Sequence, residues 1–308
     1  MPHIRIVHRT TYRYARPVQF TPHRLMIRPR DSHDLRVRGA TLGLTPRAAQ
    51  AAWAHDVFGN SVCTLDWNGT EGDTLDIAST LDLDHYPANP ALPRETLDPL
   101  AETYPFSYAP EEFPDLARTM ERQYLDPSRA VDEWVRRFLP RGKPARTMDL
   151  LGAITAAIKA DFTYAARDLE GTNGPAVTLA TKSGACRDFA LLMMEAVRAL
   201  GLAARFVSGY LYDETEADKT VGGGATHAWC AVYLPGAGWV EFDPTNGLIA
   251  GQNLIRVCAA RTPEQAVPVT GGFVGTASDF LGMTVDVAVT VGEPEAPVAE
   301  PAPQPAAA

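Results

Sequence analysis

Three residues far apart in the chain carry the side chains that thiol-based acyl transfer requires. Cys186 stands in Ser183-Gly184-Ala185-Cys186-Arg187-Asp188-Phe189-Ala190, His227 in Thr226-His227-Ala228-Trp229, and Asp243 in Gly238-Trp239-Val240-Glu241-Phe242-Asp243-Pro244. A thiol nucleophile needs a base, and the base needs a group that fixes its tautomer. Cys186 opens an apolar-periodic run, so it is expected in the first turn of a helix, with Ser183 as N-cap. There the unpaired amides favour thiolate over thiol, and Arg187 adds a nearby positive charge. His227 would then move the proton and Asp243 would orient His227.

Other residues near these three have weaker claims. Tyr164, in Asp161-Phe162-Thr163-Tyr164, is a candidate to meet the oxyanion together with the Cys186 amide. Trp229 and Trp239 flank the base and its orienter, as groove walls or as core. Asp188 reads as a cap at the helix start and is assigned no chemistry, because its charge opposes a thiolate. A zinc site built from Cys186, His227, Cys230 and Asp243 is disfavoured. His227 and Cys230 are three apart and fall on opposite faces of a strand, and no second close ligand pair exists. The acidic residues Asp213, Glu214, Glu216 and Asp218 lack the spacing of a calcium cage. No cofactor or metal is expected. Cys63, Cys230 and Cys258 read as structural thiols.

These residues must be brought together by the elements around them. A helix is expected from Cys186 to Leu200, with Phe189, Ala190, Met193 and Val197 at helical spacing and Gly201 stopping it. The period then changes to two, and Ala203–Tyr212, Thr226–Leu234 and Gly238–Asp243 read as antiparallel strands that set His227 beside Asp243. Earlier helices are expected over about 111–123, 128–138 and 147–160. Helices followed by antiparallel strands indicate an α+β catalytic domain.

Residues 1–85 read as a small all-β domain, with a first strand closed by Pro17 and a hairpin turn at Gly59-Asn60. The Pro-rich stretch 86–110 reads as a linker without regular elements. The catalytic core is expected over 111–292, including strands at Leu254–Cys258 and Thr284–Thr290. The tail 293–308 is expected to be disordered.

With 45% hydrophobic and 21% charged residues and a net charge of -9, the 308-residue chain is not a nucleic-acid binder by composition. It has no basic-then-apolar leader and no apolar run of about 20 residues, so a cytoplasmic protein without membrane association is expected. Four widely spaced cysteines match neither a disulfide scaffold nor a structural zinc site.

Four ordered blocks resemble the bacterial transglutaminase-like superfamily: Ser183 to Ala190, Gly201 to Tyr210, His227-Ala228-Trp229, and Trp239 to Gly247. The resemblance implies a papain-like core of helices on an antiparallel sheet, and it places the family's catalytic cysteine, histidine and aspartate at Cys186, His227 and Asp243. Residues 1 to about 85 resemble the β-rich domain that accompanies this core in bacteria. One element departs from the pattern. The family's Ala-x-Gly-Arg-Asp-Tyr corresponds here to the stretch Val257-Cys258-Ala259-Ala260-Arg261-Thr262-Pro263, which bears on substrate or partner recognition rather than on the triad. The implied activity is a thiol protease or amidase acting on a peptide or protein through an acyl-thioenzyme. Transamidation, in which a primary amine accepts the acyl group, is the alternative. A binding or scaffold protein that has lost activity is the second alternative, against which all three triad residues stand.

Overall fold

A computed structural model describes residues 2–86, 92–167, 171–212, 226–249 and 253–292. The chain begins with β1 (His3–Phe20), β2 (His23–Leu25), β3 (Leu35–Thr45), β4 (Gln50–His55), β5 (Ser61–Asp66) and β6 (Glu71–His85). Along the first half of β1 buried and exposed residues alternate, with Ile4, Ile6, His8 and Thr10 inward, as a strand with one packed face requires. The strand does not end at Pro17. It runs through to Phe20, and its pairing with β6 shifts register between Arg13 and Val18. At such an irregularity the missing proline N–H costs no ladder bond.

Next come α1 (Leu92–Thr96), the two-residue strand β7 (Thr103–Tyr104), α2 (Phe113–Met120), α3 (Ala130–Arg136), β8 (Ala145–Arg146), α4 (Thr147–Asp161), β9 (Thr163–Tyr164), α5 (Pro175–Thr181), β10 (Ser183–Gly184) and α6 (Cys186–Ala199). The expected linker therefore contains α1, a 3-10 turn at Pro99–Ala101, and β7, which pairs with β8. Its prolines and aromatics hide the short elements because each is too brief to show a period. Helix α6 is buried all round from Asp188 to Arg198, so it is the central helix of the core rather than a one-faced surface helix. Its buried Glu195 is matched by Arg198 at 3.0 Å and Arg122 at 2.9 Å.

The core sheet follows: β11 (Ala204–Leu211), β12 (Thr226–Leu234), β13 (Gly238–Asp243), β14 (Leu248–Ile249) and β15 (Leu254–Ala260), ordered β14-β13-β12-β11-β15 and antiparallel throughout. One face carries Ala228, Cys230, Val232, Val240 and Phe242 against α6, while Trp229 and Ala231 pack on the other. His227 and Cys230 thus fall on opposite faces of β12.

The chain then leaves the core. β16 (Val269–Thr270) pairs with β2, and both β17 (Phe273–Val274) and β18 (Phe280–Gly292) pair with β1. The expected core boundary at 292 is therefore corrected, since the segment from Val269 onward completes the N-terminal β unit. Alternation identifies a strand at 284–290 but not its partner, and β1 offers a full free edge. The resulting sheets are β17-β1-β6-β3, with β18 also on β1, and β16-β2-β5-β4; they enclose Leu25, Cys63, Leu65, Trp67, Leu75 and Ile77.

The two units share one apolar cluster, with Ile4, Ile6, Leu81, Leu83 and Val287 packed on Tyr210, Tyr212, Ile255 and Val257. Buried polar bonds cross the same boundary. His8 Nδ1 meets the Tyr210 hydroxyl and His85 Nδ1 the Tyr212 hydroxyl, each at 2.9 Å. The tip of the β4–β5 hairpin also reaches the core, where the Asn60 side chain bonds both the N–H and the carbonyl of Ala259 like an added strand residue. The expected tail, 293–308, lies outside the described residues. Among those described, no helix is long and apolar enough to cross a membrane.

Candidate active site

Helix α6 starts at Cys186 itself, and its N-cap is Ala185 rather than Ser183. Ser183 instead pairs with Thr163 in the short parallel ladder of β10 and β9. Alanine has no capping oxygen, so the cap comes from inside the helix. Asp188 accepts the Ala185 N–H at 2.9 Å through Oδ2, while its Oδ1 takes the Asn173 N–H at 2.7 Å and Arg167 at 3.1 Å. This carboxylate, fully buried, fixes the entry to the helix and so the position of Cys186. Gly184 leaves the room for it, because a Cβ there would stand 2.8 Å from the Asp188 Cβ. The negative charge of Asp188 is spent on Arg167 and two amides.

His227 is at the start of β12 and Asp243 at the end of β13, both buried. His227 Nε2 donates to Asp243 Oδ2 at 2.8 Å. Asp243 also accepts the Asn246 side chain at 2.9 Å, the Thr245 N–H at 2.9 Å and the Asn246 N–H at 3.3 Å. Burial pushes this carboxyl up, but the His227 charge and these bonds outweigh it and hold the carboxyl below its usual range. Asn246 is the residue that sequence reading passed over. Its signal was the Asp-Pro-Thr-Asn turn after β13, where an Asx side chain and local amides can collect one carboxylate.

With Nε2 committed to Asp243, the other ring nitrogen is left for the thiol. Nδ1 is buried and holds no fully formed hydrogen bond among the described residues. Cys186 nevertheless lies close enough for its charge to act on the ring. Such a contact is often long in a resting enzyme and tightens when substrate binds. Burial disfavours the Cys186 thiolate, yet His227 and the Ala228 N–H outweigh burial and lower the thiol below its ordinary value. Burial likewise disfavours a charged His227, but Asp243 and then Cys186 overcome that and raise it. The direction in both groups is toward a thiolate–imidazolium pair.

The three other cysteines sit in environments of opposite sense. All are buried and unpaired, and burial raises Cys63 and pushes Cys230 and Cys258 up to about 12.

Tyr164 lies beside Gly184 in the β9–β10 ladder, and its hydroxyl is pushed up to about 12, by burial first and by the Cys186 charge next. The hydroxyl is thus held neutral and feels the Cys186 charge. Trp229 is fully buried and stacks on the His227 ring at 6.0 Å between centroids. Gly209 makes room for that indole, since a Cβ there would sit 2.8 Å from it and 2.0 Å from the Ile255 carbonyl oxygen. Trp239 is not brought to the triad. It lies four residues before Asp243, roughly 13 Å along an extended strand, packed under Arg205 and against Tyr233. The acidic stretch Asp213 to Asp218 lies outside the described residues, and those described contain no cluster of three or more metal-ligating side chains.

Residues 4–84 match the bacterial transglutaminase-like N-terminal region, and residues 133–244 match the transglutaminase-like superfamily, a span that includes all three polar residues of the site. The uncharacterized protein Rv2569c of Mycobacterium tuberculosis (strain ATCC 25618 / H37Rv) is 30% identical over 311 residues, which cover 94% of this chain and 93% of that protein. The uncharacterized protein ML0607 of Mycobacterium leprae is 34% identical over 106 residues, covering 34% of this chain and 37% of its own length. Among solved structures, a candidate cysteine protease from Cytophaga hutchinsonii superimposes with a TM-score of 0.69 at 19% identity, over 96% of this chain and 92% of that one. Likeness at that identity speaks to a shared fold.

Proposed function

Because the chain belongs to the transglutaminase-like superfamily, we propose that it is a cysteine-nucleophile hydrolase of peptide or side-chain amide bonds. The observation that carries this reading is the His227–Asp243 bond at 2.8 Å, which orients the ring so that its second nitrogen serves Cys186.

The Cys186 thiolate sulfur attacks the amide carbonyl carbon, and the carbonyl electron pair moves onto oxygen. The Cys186 N–H, in the first turn of α6, and the Tyr164 hydroxyl would meet that oxyanion. The C–N bond then breaks as His227 gives its Nδ1 proton to the departing amine, leaving a thioester on Cys186. Water adds to the thioester while Nδ1 takes one of its protons. The carboxylic acid leaves, and the thiolate–imidazolium pair returns. Asp243 keeps Nε2 protonated throughout, and Trp229 covers one face of the ring.

Four unpaired thiols further support assigning the protein to the cytoplasm, where thiols stay reduced. The activity is tested by incubating a mixed glutamine-containing peptide library with the protein and a primary amine, with Cys186→Ala as control, and reading products by mass spectrometry. Backbone cleavage or conversion of glutamine to glutamate supports the hydrolase. Amine incorporation with loss of ammonia replaces it with a transamidase, and products unchanged by Cys186→Ala reject both.

A further inference from the structure

A cavity opens on the sheet face that α6 does not cover. It lies between the two units, encloses about 610 Å³, and is lined by β11, β13 and β15 on one side and by the Arg30–Asp34 segment and the β4–β5 hairpin tip on the other. Nothing in the triad chemistry uses it. Its volume is in the range of small-ligand sites.

Three arginines and three carboxylates line it, so the formal charges balance, but they are not paired one to one. Arg256 is fully engaged, with Nη1 on Glu241 at 2.8 Å and Nη2 on Asp34 at 3.3 Å. Asp34 also takes the Ser32 hydroxyl, Asp31 takes the Val37 N–H at 2.7 Å, and Arg30 donates to the Gly59 carbonyl at 2.7 Å. That leaves Arg205 of β11. Its guanidinium carbon lies over the Trp239 ring, 3.9 Å from the centroid, and Nε is shut off from solvent without a hydrogen-bond partner. Among the described residues no carboxylate pairs with it, and burial alone pulls its pKa down with no acid to restore it. Arg205 is half-buried, and a partly desolvated cation without a carboxylate partner gains from an anion that reaches its open end.

The geometry also selects among anions. With Trp239 against the guanidinium and Nε enclosed, the two Nη groups remain for a ligand, and that end-on pair of donors matches the two oxygens of a carboxylate. We propose that this cleft is a binding site for a carboxylate-bearing ligand of amino-acid or short-peptide size, held by the Nη end of Arg205 beside Trp239. The carboxylate could belong to a peptide C-terminus or to an acidic side chain. The site is separate from the triad, and its occupancy does not depend on Cys186 acting as a nucleophile.

The test is calorimetric titration of the full chain with acetyl-Gly-Gly-Ala bearing a free carboxylate, the same peptide as its amide, acetyl-glutamate amide, and inorganic phosphate. Saturable binding of at least one carboxylate probe, absence of binding by the neutral amide peptide, and at least a tenfold loss in Arg205→Gln are expected. The two carboxylate probes distinguish a chain terminus from a side chain. Arg205→Lys, which keeps the charge but loses the fork, should fall between, and Cys186→Ala should bind like the unaltered protein. In the unaltered protein the Arg205 Nε–H resonance should shift with the same saturation curve, a readout that needs no variant to fold. Equal binding of the amide peptide, binding of phosphate alone, or an unmoved Arg205 resonance would overturn the proposal.

Discussion

Replacing Asp243 by asparagine keeps the side chain's shape and removes one buried charge. The carboxylate donates nothing and accepts from His227, Asn246 and two backbone amides, so the substitution strikes the 2.8 Å charged bond to His227 most directly. A hydrogen bond to a charged group contributes about 1.5–3 kcal/mol net, which corresponds to roughly a 10- to 150-fold loss in kcat/KM if it is felt in the transition state. The same change should appear without any substrate. Asp243 raises His227, and His227 in turn lowers Cys186. Removing the carboxylate lets His227 lose its proton at lower pH, so the thiolate loses its partner and the thiol climbs toward its ordinary value of about 8.5. Asp243 also repels the thiolate directly, but that effect is smaller than the help given by His227. Alkylation by iodoacetamide, followed at Cys186 by peptide mapping across pH, should show a midpoint below the ordinary thiol value in the unaltered protein and a higher one in Asp243→Asn. A midpoint that stays in place or falls would refute the coupling of the three residues.

Cys186→Ala should abolish turnover and shift Tm little, as checked by product mass spectrometry beside a thermal melt, because the side chain is only partly buried and caps no structural bond. Near neutral pH, Cys186 should alkylate ahead of Cys63, Cys230 and Cys258, whose burial raises them, and equal labelling of all four in the folded protein would count against a lowered thiol. Asp188→Asn should cost about 1–3 kcal/mol in urea unfolding, since it weakens buried bonds to Arg167 and to the Ala185 and Asn173 amides. It should also reduce Cys186 reactivity by loosening the start of α6. His8 is buried neutral against Tyr210, with burial lowering it to about 4. Its folded value lies below its unfolded one of about 6.5, so the folded state binds the proton later, and stability is lost as pH falls through that window. The loss should approach about 3 kcal/mol, and His8→Asn should flatten that part of the pH dependence in urea melts.

The chemistry was legible because its residue types stand in local patterns that a chain can display. Cys186 before an apolar period, His227 opening an alternating run and Asp243 closing another each declare an element, and antiparallel pairing of β12 with β13 then sets the histidine beside the carboxylate. What stayed hidden depends on contacts distant in sequence. Alternation at 284–290 announces a strand but carries no label for β1 as its partner, and although Asp188 reads as a cap, its further partners Arg167 and Asn173 are connected to it by no spacing rule. Trp239 reads like Trp229 in sequence, two aromatics near two polar residues. Strand geometry separates them, because Trp229 is two residues from His227 on the same face while Trp239 is at the far end of β13. The altered stretch at Val257 to Pro263 still completes β15 as far as Ala260, so its departure from the family pattern leaves the core sheet intact.

Trapping of the acyl-enzyme bears most directly on Cys186 as the nucleophile. The protein is mixed with the glutamine-containing peptide library, quenched in acid, and its intact mass and digest are read for a hydroxylamine-labile adduct. A single acyl group on the peptide that contains Cys186, absent from His227→Ala, is the expected result. An adduct on another residue, or turnover that persists in Cys186→Ala, would contradict it.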